Sequence, residues 1–159
     1  MSTSDYQIRD ADAQDIETIV ALLPQLADFN LPERRNPDDL WQADAELARK
    51  VAAGQTNGTA FLRVATSTQG DVLGLTLTSM REELMSHAPS AHLEAIVVAP
   101  NARGMGLGRA LLSDCEAQVR TRGAHSLSLH VFARNERAHA LYKSYGFDSE
   151  LIRAIKWFD

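Results

Sequence analysis

The sequence predicts a mixed α/β domain, and three observations predict it. Segments of strand-like and helix-like periodicity alternate along the chain, a glycine-rich turn joins an apolar strand to a helix, and the composition is that of an ordinary globule. A length of 159 residues suits one domain spanning 1–159. A chain of this size buries roughly 68–70% of the surface it exposes when unfolded. Hydrophobic residues at 45% and charged residues at 23% exclude disorder, collagen and coiled coil. Apolar runs of only a few residues exclude a membrane span. Residues 1–5 show no basic region followed by an apolar stretch, so no signal peptide is expected and a cytoplasmic location is the default. Cys115 stands alone, which excludes an intramolecular disulfide. A net charge of −5 argues against a nucleic-acid partner and is compatible with a cationic small one.

Each element has its own justification. Residues 6–9 read as a short first strand. Ile16, Ile19, Val20, Leu23 and Leu26 recur at helical spacing, with Asp12 and Asp15 as the cap and Pro24 as a kink or early end. A polar, proline-bearing loop over 28–37 leads to a second helix over about 38–53, ended by Gly54. Residues 60–65 and 72–78 form a hairpin around Gly70. Residues 81–90 are a polar connection, and 92–98 form a strand stopped by Pro100. A helix from about 106 to 120 puts Leu107, Leu111, Cys115 and Val119 on one face and ends at Gly123. Residues 126–132 alternate as a half-buried strand, 136–145 form a helix ended by Gly146, and 152–158 form a last strand.

The turn over 99–108 carries the chemistry. Gly104, Gly106 and Gly108 let backbone N–H groups approach a ligand, and the new helix adds unpaired N–H groups and a positive dipole end. Together they make a phosphate site, bracketed by Arg103 and Arg109. A P-loop needs Lys then Ser or Thr after its last glycine, but Arg109 and Ala110 follow Gly108. The dinucleotide fingerprint needs a glycine where Arg109 stands. What remains is Arg103-x-x-Gly106-x-Gly108.

That pattern resembles the acetyl-CoA motif of the GNAT family of N-acetyltransferases. A second stretch, Asn135, Ala138, Leu141, Tyr142, Gly146 and Phe147, resembles the family's C-terminal signature. The resemblance implies the GNAT fold: a mixed, mostly antiparallel sheet of six to seven strands with helices on both faces. It implies acetyl transfer from acetyl-CoA, as co-substrate, to a primary amine by direct attack in a ternary complex, with no metal. The alternative is an acyl-CoA binding or sensing module without turnover. Cofactor contacts implied are Ile96, Val97 and Val98 on the strand edge, then Arg103, Gly104, Met105, Gly106, Leu107, Gly108 and Arg109, with Asn135 opposite.

Such a transfer needs a neutral amine, a donor to the carbonyl oxygen and a proton for the departing thiolate. Glu94 is the candidate base, or else it orients the acceptor. On a regular strand it shares a face with His92, Ile96 and Val98, and His92 is a second candidate base. Tyr142 is the candidate acid, with Tyr145 a neighbour expected to pack. The Val98 N–H is the expected donor to the oxygen. Cys115, on an apolar helix face, reads as a buried thiol. The acceptor is a small molecule or a peptide amine, expected between residues 28–41 and 81–92. Asp28, Glu33, Asp38, Asp39, Glu82 and Glu83 favour a cation there, whereas Arg34 and Arg35 would suit a phosphate. A homodimer is compatible with the resemblance.

Overall fold

The computed structural model describes residues 5–159. Five strands form one sheet in chain order: β1 (Tyr6–Asp10), β2 (Ala60–Ser67), β3 (Val72–Glu82), β4 (Pro89–Val98) and β5 (Leu127–Leu129). The first four pair antiparallel, and β5 joins β4 in parallel. Helices α1 (Ile16–Leu22) and α2 (Gln42–Ala52) cover one face. Helices α3 (Leu107–Thr121) and α4 (Glu136–Tyr145) cover the other. No helix among the described residues is long and apolar enough to cross a membrane.

Local signals decide several boundaries. Asp12 accepts from the Gln14 N–H at 2.9 Å while its own N–H donates to Asp15 at 2.8 Å, a reciprocal cap ahead of α1. Pro24 falls in a 3-10 turn, Leu23–Ala27, that ends α1 early. Gly146 closes α4 with φ +116°, its N–H bonded to the carbonyls of Tyr142 and Lys143. The core is two-sided. Leu62, Val64, Leu75 and Leu77 pack against Ile19, Leu23 and Ala48. Phe61, Ala91 and Leu93 pack against Leu112, Cys115 and Val119. Arg63 crosses from β2 to grip both oxygens of Asp114 on α3 at 2.8 and 3.0 Å, which fixes α3 on the sheet.

The sheet differs from the expectation of six to seven strands. Residues 152–158 have no regular structure and are exposed throughout. A strand needs a neighbour, and β5 offers only three residues. The tail instead runs to the loop after α1, where Asp159 meets Arg34 at 2.8 Å and the Trp157 ring lies 4.9 Å from the Arg35 guanidinium. Residues 81–90 also differ. Instead of a polar connection, β3 and β4 extend through Glu82 and Pro89 into a tight hairpin, whose turn Glu83 closes by accepting from Met85 and Ser86 N–H groups.

Candidate active site

Strand β4 changes character halfway along. Thr78 pairs with Leu93 and Leu77 with Ala95, leaving Glu94 as an extra residue on β4, a β-bulge. The alternation slips by one there. Ala91 and Leu93 pack on the α3 side, yet Ala95 and Val97 pack against α1 and α2, and Ile96 and Val98 return to the α3 side. The regular-strand expectation that His92, Glu94, Ile96 and Val98 share a face is therefore corrected. Glu94 pairs with Arg81 and feels the charge of Asp44 on α2, while Ile96 and Val98 lie opposite.

The bulge coincides with a fork in the sheet. Strand β5 pairs with β4 only at Ala91, His92 and Leu93, so β4 beyond the bulge has β3 on one side and an open edge on the other. The Ala99 N–H donates to Leu73 at 2.8 Å, so by alternation the backbone groups of Ile96 and Val98 face the open edge. The Val97 side chain is buried among α1 and α2, and its register partner is Leu75.

The glycine turn follows at once. Gly104 and Gly106 have φ of +78° and +77°, the left-handed region that β-carbons resist. Gly106 is the residue before α3, and the Ala110 N–H is the first to find an acceptor, Gly106 O at 3.1 Å. Among the described residues, no backbone N–H from 103 to 109 donates within the fold. These residues thus present a row of free donors at a helix start. A β-carbon on Gly108 would lie 3.1 Å from Leu141 Cδ2, so the lack of one lets α4 approach closely. Arg103 reaches back to Val98 O at 3.4 Å, Gln25 at 3.1 Å and Asp28 at 3.3 Å. Arg109 lies over the Tyr145 ring at 5.3 Å.

The two tyrosines of α4 separate cleanly. Tyr145 donates to Glu116 at 2.6 Å and is a packing residue on α3. Tyr142 packs against the cluster of Leu93, Leu112 and Cys115, no described residue gives its hydroxyl a hydrogen bond, and burial pushes it up to about 12. Asn135 caps α4, its Oδ1 accepting from the Ala138 N–H at 3.3 Å, so Asn-x-x-Ala is in part a capping device. His92 is buried, shares a 2.8 Å contact with Ser128 Oγ, stacks beside His130 at 4.6 Å, and is pushed down to about 4 by burial and Arg81. Cys115 is buried against Thr78, and burial pushes its thiol up.

The far wall is stitched by side chains. Phe29 meets Phe132 at 5.3 Å, Arg35 lies between Phe132 and Trp157, and Arg134 donates to Leu31 O at 3.3 Å. Arg34 and Arg35 are thus engaged. Asp44, in the first turn of α2, is half-buried one place before the buried Ala45, and burial pushes it up to about 7.

A fork in a mixed sheet is thus followed by a donor-lined turn at a helix start. A family model described as the acetyltransferase (GNAT) family matches residues 22–147, and the chain belongs to that family. It is 30% identical over 112 residues to a mycothiol acetyltransferase of Paenarthrobacter aurescens, covering 70% of this chain and 34% of that one. The chain thus spans about a third of that relative's length. Among solved structures, AAC(6')-Iy in complex with a CoA bisubstrate analogue superposes with a TM-score of 0.71 at 21% identity, covering 98% of this chain and 99% of that one. A ribosomal-protein-alanine N-acetyltransferase from Brucella melitensis gives 0.69 at 18% identity, covering 96% and 99%.

Proposed function

We propose that the protein is an acetyl-CoA-dependent N-acetyltransferase acting on a primary amine in a ternary complex. The observation that carries this is the adjacency of two sets of outward-facing backbone groups: the open β4 edge at Ile96 and Val98, where the Val98 carbonyl accepts from the Arg103 side chain, and the N–H row over 103–109. The first suits an amide-bearing arm lying along a strand edge, and the second suits a pyrophosphate. The CoA bisubstrate analogue held by a structural neighbour supports the same cofactor.

In this reading the acceptor ammonium gives a proton to Glu94, directly or through water, and the neutral amine attacks the thioester carbonyl. The Val98 N–H donates to the carbonyl oxygen as it gains charge. The C–S bond then breaks. The sulfur takes the Tyr142 proton, and the second proton shed by the new amide nitrogen restores the tyrosine. Products are the acetamide, CoA thiol and one released proton. A hydroxyl without a partner, held protonated by burial, suits the acid role and favours turnover over sensing.

The test is direct. CoA at about 100 times its dissociation constant adds roughly 2.7 kcal/mol to unfolding stability. Gly106→Val removes that gain, because a β-branched residue resists φ of +77°. Acetyl-CoA with an amine panel releases free thiol. A melting temperature indifferent to CoA refutes the reading, and stabilisation without thiol release leaves only the sensing module.

A further inference from the structure

The C-terminal tail is the least satisfied part of the chain. Among the described residues, five of the seven exposed large hydrophobic side chains belong to it: Leu151, Ile152, Ile155, Trp157 and Phe158. No described backbone group from 148 to 159 takes part in a backbone hydrogen bond. The tail is tied at its two ends. Phe147 donates its N–H to Tyr142 O at 2.9 Å, and at the other end Trp157 and Asp159 meet Arg35 and Arg34. Apolar side chains gathered in water along one segment mark an interaction surface.

The sheet has a matching gap. The Ala91 N–H donates to Ser126 O at 3.1 Å, so by alternation Leu127 and Leu129 turn their N–H and C=O groups to the outer edge of β5. No described residue bonds to them there. A groove of about 250 Å³ adjoins this edge, lined by Val119, Leu127, Tyr145 and Phe147. The other outer strand, β1, carries Arg9 and Asp10, charges of the kind that discourage pairing, whereas β5 carries none. The tail starts at one end of β5, where Phe147 shares the groove with Leu127, and ends past the other, where Arg35 joins Trp157 to Phe132. It follows β5 yet pairs with none of it, so the edge stays open within the chain. We propose that a second copy of this chain fills the gap: the tail of each protomer, over about residues 151–156, adds a strand to the β5 edge of the other. Main-chain bonds at Leu127 and Leu129 hold the added strand, and the groove takes its apolar side chains. Each copy gives one tail and receives one, so the contact closes at two chains. A different protein would satisfy the edge or the tail, whereas a second copy satisfies both. The proposal does not depend on the reaction assigned to the site.

Sedimentation of the full chain at micromolar concentration, with amide hydrogen exchange read by NMR, tests this. The wild type should sediment at twice the mass of one chain, with the Leu127 and Leu129 amides protected. Ile152 and Ile155 are exposed in the single chain, so its fold does not rest on them. Ile152→Asp combined with Ile155→Asp should sediment as one chain with wild-type far-UV circular dichroism, and the Leu127 and Leu129 amides should exchange about 10-fold or more faster. If that variant misfolds, Ile152→Ser with Ile155→Ser decides by the same two readings. A wild type of single-chain mass overturns the proposal; protected Leu127 and Leu129 amides in that monomer would mean that the chain's own tail occupies the edge. A dimer that persists in the folded double variant, or a wild-type dimer whose Leu127 and Leu129 amides are unprotected, puts the interface elsewhere and overturns it too.

Discussion

Under the proposed function, the cofactor side and the acceptor side of the site are built on opposite plans. On the cofactor side, the open β4 edge and the turn over 103–109 present backbone groups, and side chains there mostly turn away: Arg103 to Gln25, Arg109 to Tyr145. On the acceptor side, the loop after α1, α2 and the C-terminal tail present side chains: Phe29, Arg35, Asp44, Phe132 and Trp157. A backbone site needs a few residues with special conformational freedom, so it leaves a motif. A side-chain site needs residues brought together from distant parts of the chain, so it leaves none. The same division says where substitutions act on one step and where they act on recognition.

The largest effect sharpens the role of α4, which borders the cofactor side. Tyr142→Phe is expected to lower kcat by about 10²–10⁴-fold, the usual range for a lost acid. Stabilisation by CoA stays, because the ring remains. Tyr145→Phe instead loses the 2.6 Å bond to Glu116, which costs about 1–2 kcal/mol of stability, with turnover intact. Steady-state kinetics with thermal melts reads both. Normal turnover in Tyr142→Phe with loss in Tyr145→Phe would reverse the assignment.

The next effect probes the acceptor side through pH. Asp44 sits at about 7 when folded, against an ordinary value near 3.8, so between these values the folded protein holds the extra proton. Stability from this group therefore falls as pH rises through that window. His92 works the other way. Its folded value of about 4 against 6.5 means that the unfolded chain binds the proton, so its contribution rises with pH from about 4 to 6.5. Arg81, Glu94 and His130 act on His92, Glu94 alone of these acts on Asp44, and all three are common to wild type and variant. The stability of Asp44→Asn minus that of the wild type should grow as pH rises from 4 toward 7, by up to about 1.4 kcal/mol per pH unit where one proton is at stake. Urea unfolding across that range measures it. A flat difference would mean that Asp44 is not desolvated.

What the sequence made legible follows the same division. Gly123 and Gly146 adopt the left-handed conformation their helix-ending positions suggested, and Gly104 and Gly106 in the turn adopt it too. The Asp12 cap and the Pro24 stop also leave direct signatures. The bulge does not. Residues 92–98 read as an unbroken strand, with neither glycine nor proline to mark Glu94 as extra, and only the pairing with Leu77 and Thr78 shows it. The tail misleads for a related reason. Ile152, Ile155, Trp157 and Phe158 have strand-like chemistry, but a strand also needs an edge, and that is a property of the assembled sheet.

A smaller effect tests whether the second helical glycine serves the backbone plan. Gly108→Val pushes against Leu141, whose Cδ2 would stand 3.1 Å from the new β-carbon. Overpacking of this kind costs about 1–3 kcal/mol. If Gly108 only admits α4, Gly108→Ala should lose stability while keeping most of its CoA affinity, unlike Gly106→Val. Equal loss of CoA affinity in both would make Gly108 a ligand-facing glycine.

The smallest effect probes the stitching of the acceptor wall. Arg35 lies 4.9 Å from the Trp157 ring centroid and 6.0 Å from that of Phe132, and these contacts join the loop after α1 to the tail. Exposed cation–π contacts contribute about 0.5–1 kcal/mol, so Arg35→Ala should barely move global stability. Its effect should be local, because the tail has no strand partner and the remaining tie, Arg34 to Asp159, is exposed at both ends. Proteolysis after Arg153 or Lys156 should therefore quicken by severalfold in Arg35→Ala while the melting temperature holds. Arg35→Lys should restore little, since a compact ammonium stacks on two rings less well than a planar guanidinium. If the tail were held by its apolar residues instead, cleavage would be unchanged in Arg35→Ala and would quicken in Trp157→Ser. That outcome would move the wall's design from paired charge and ring faces to plain burial, despite the exposure of Ile152 and Phe158 at 95% and 85%.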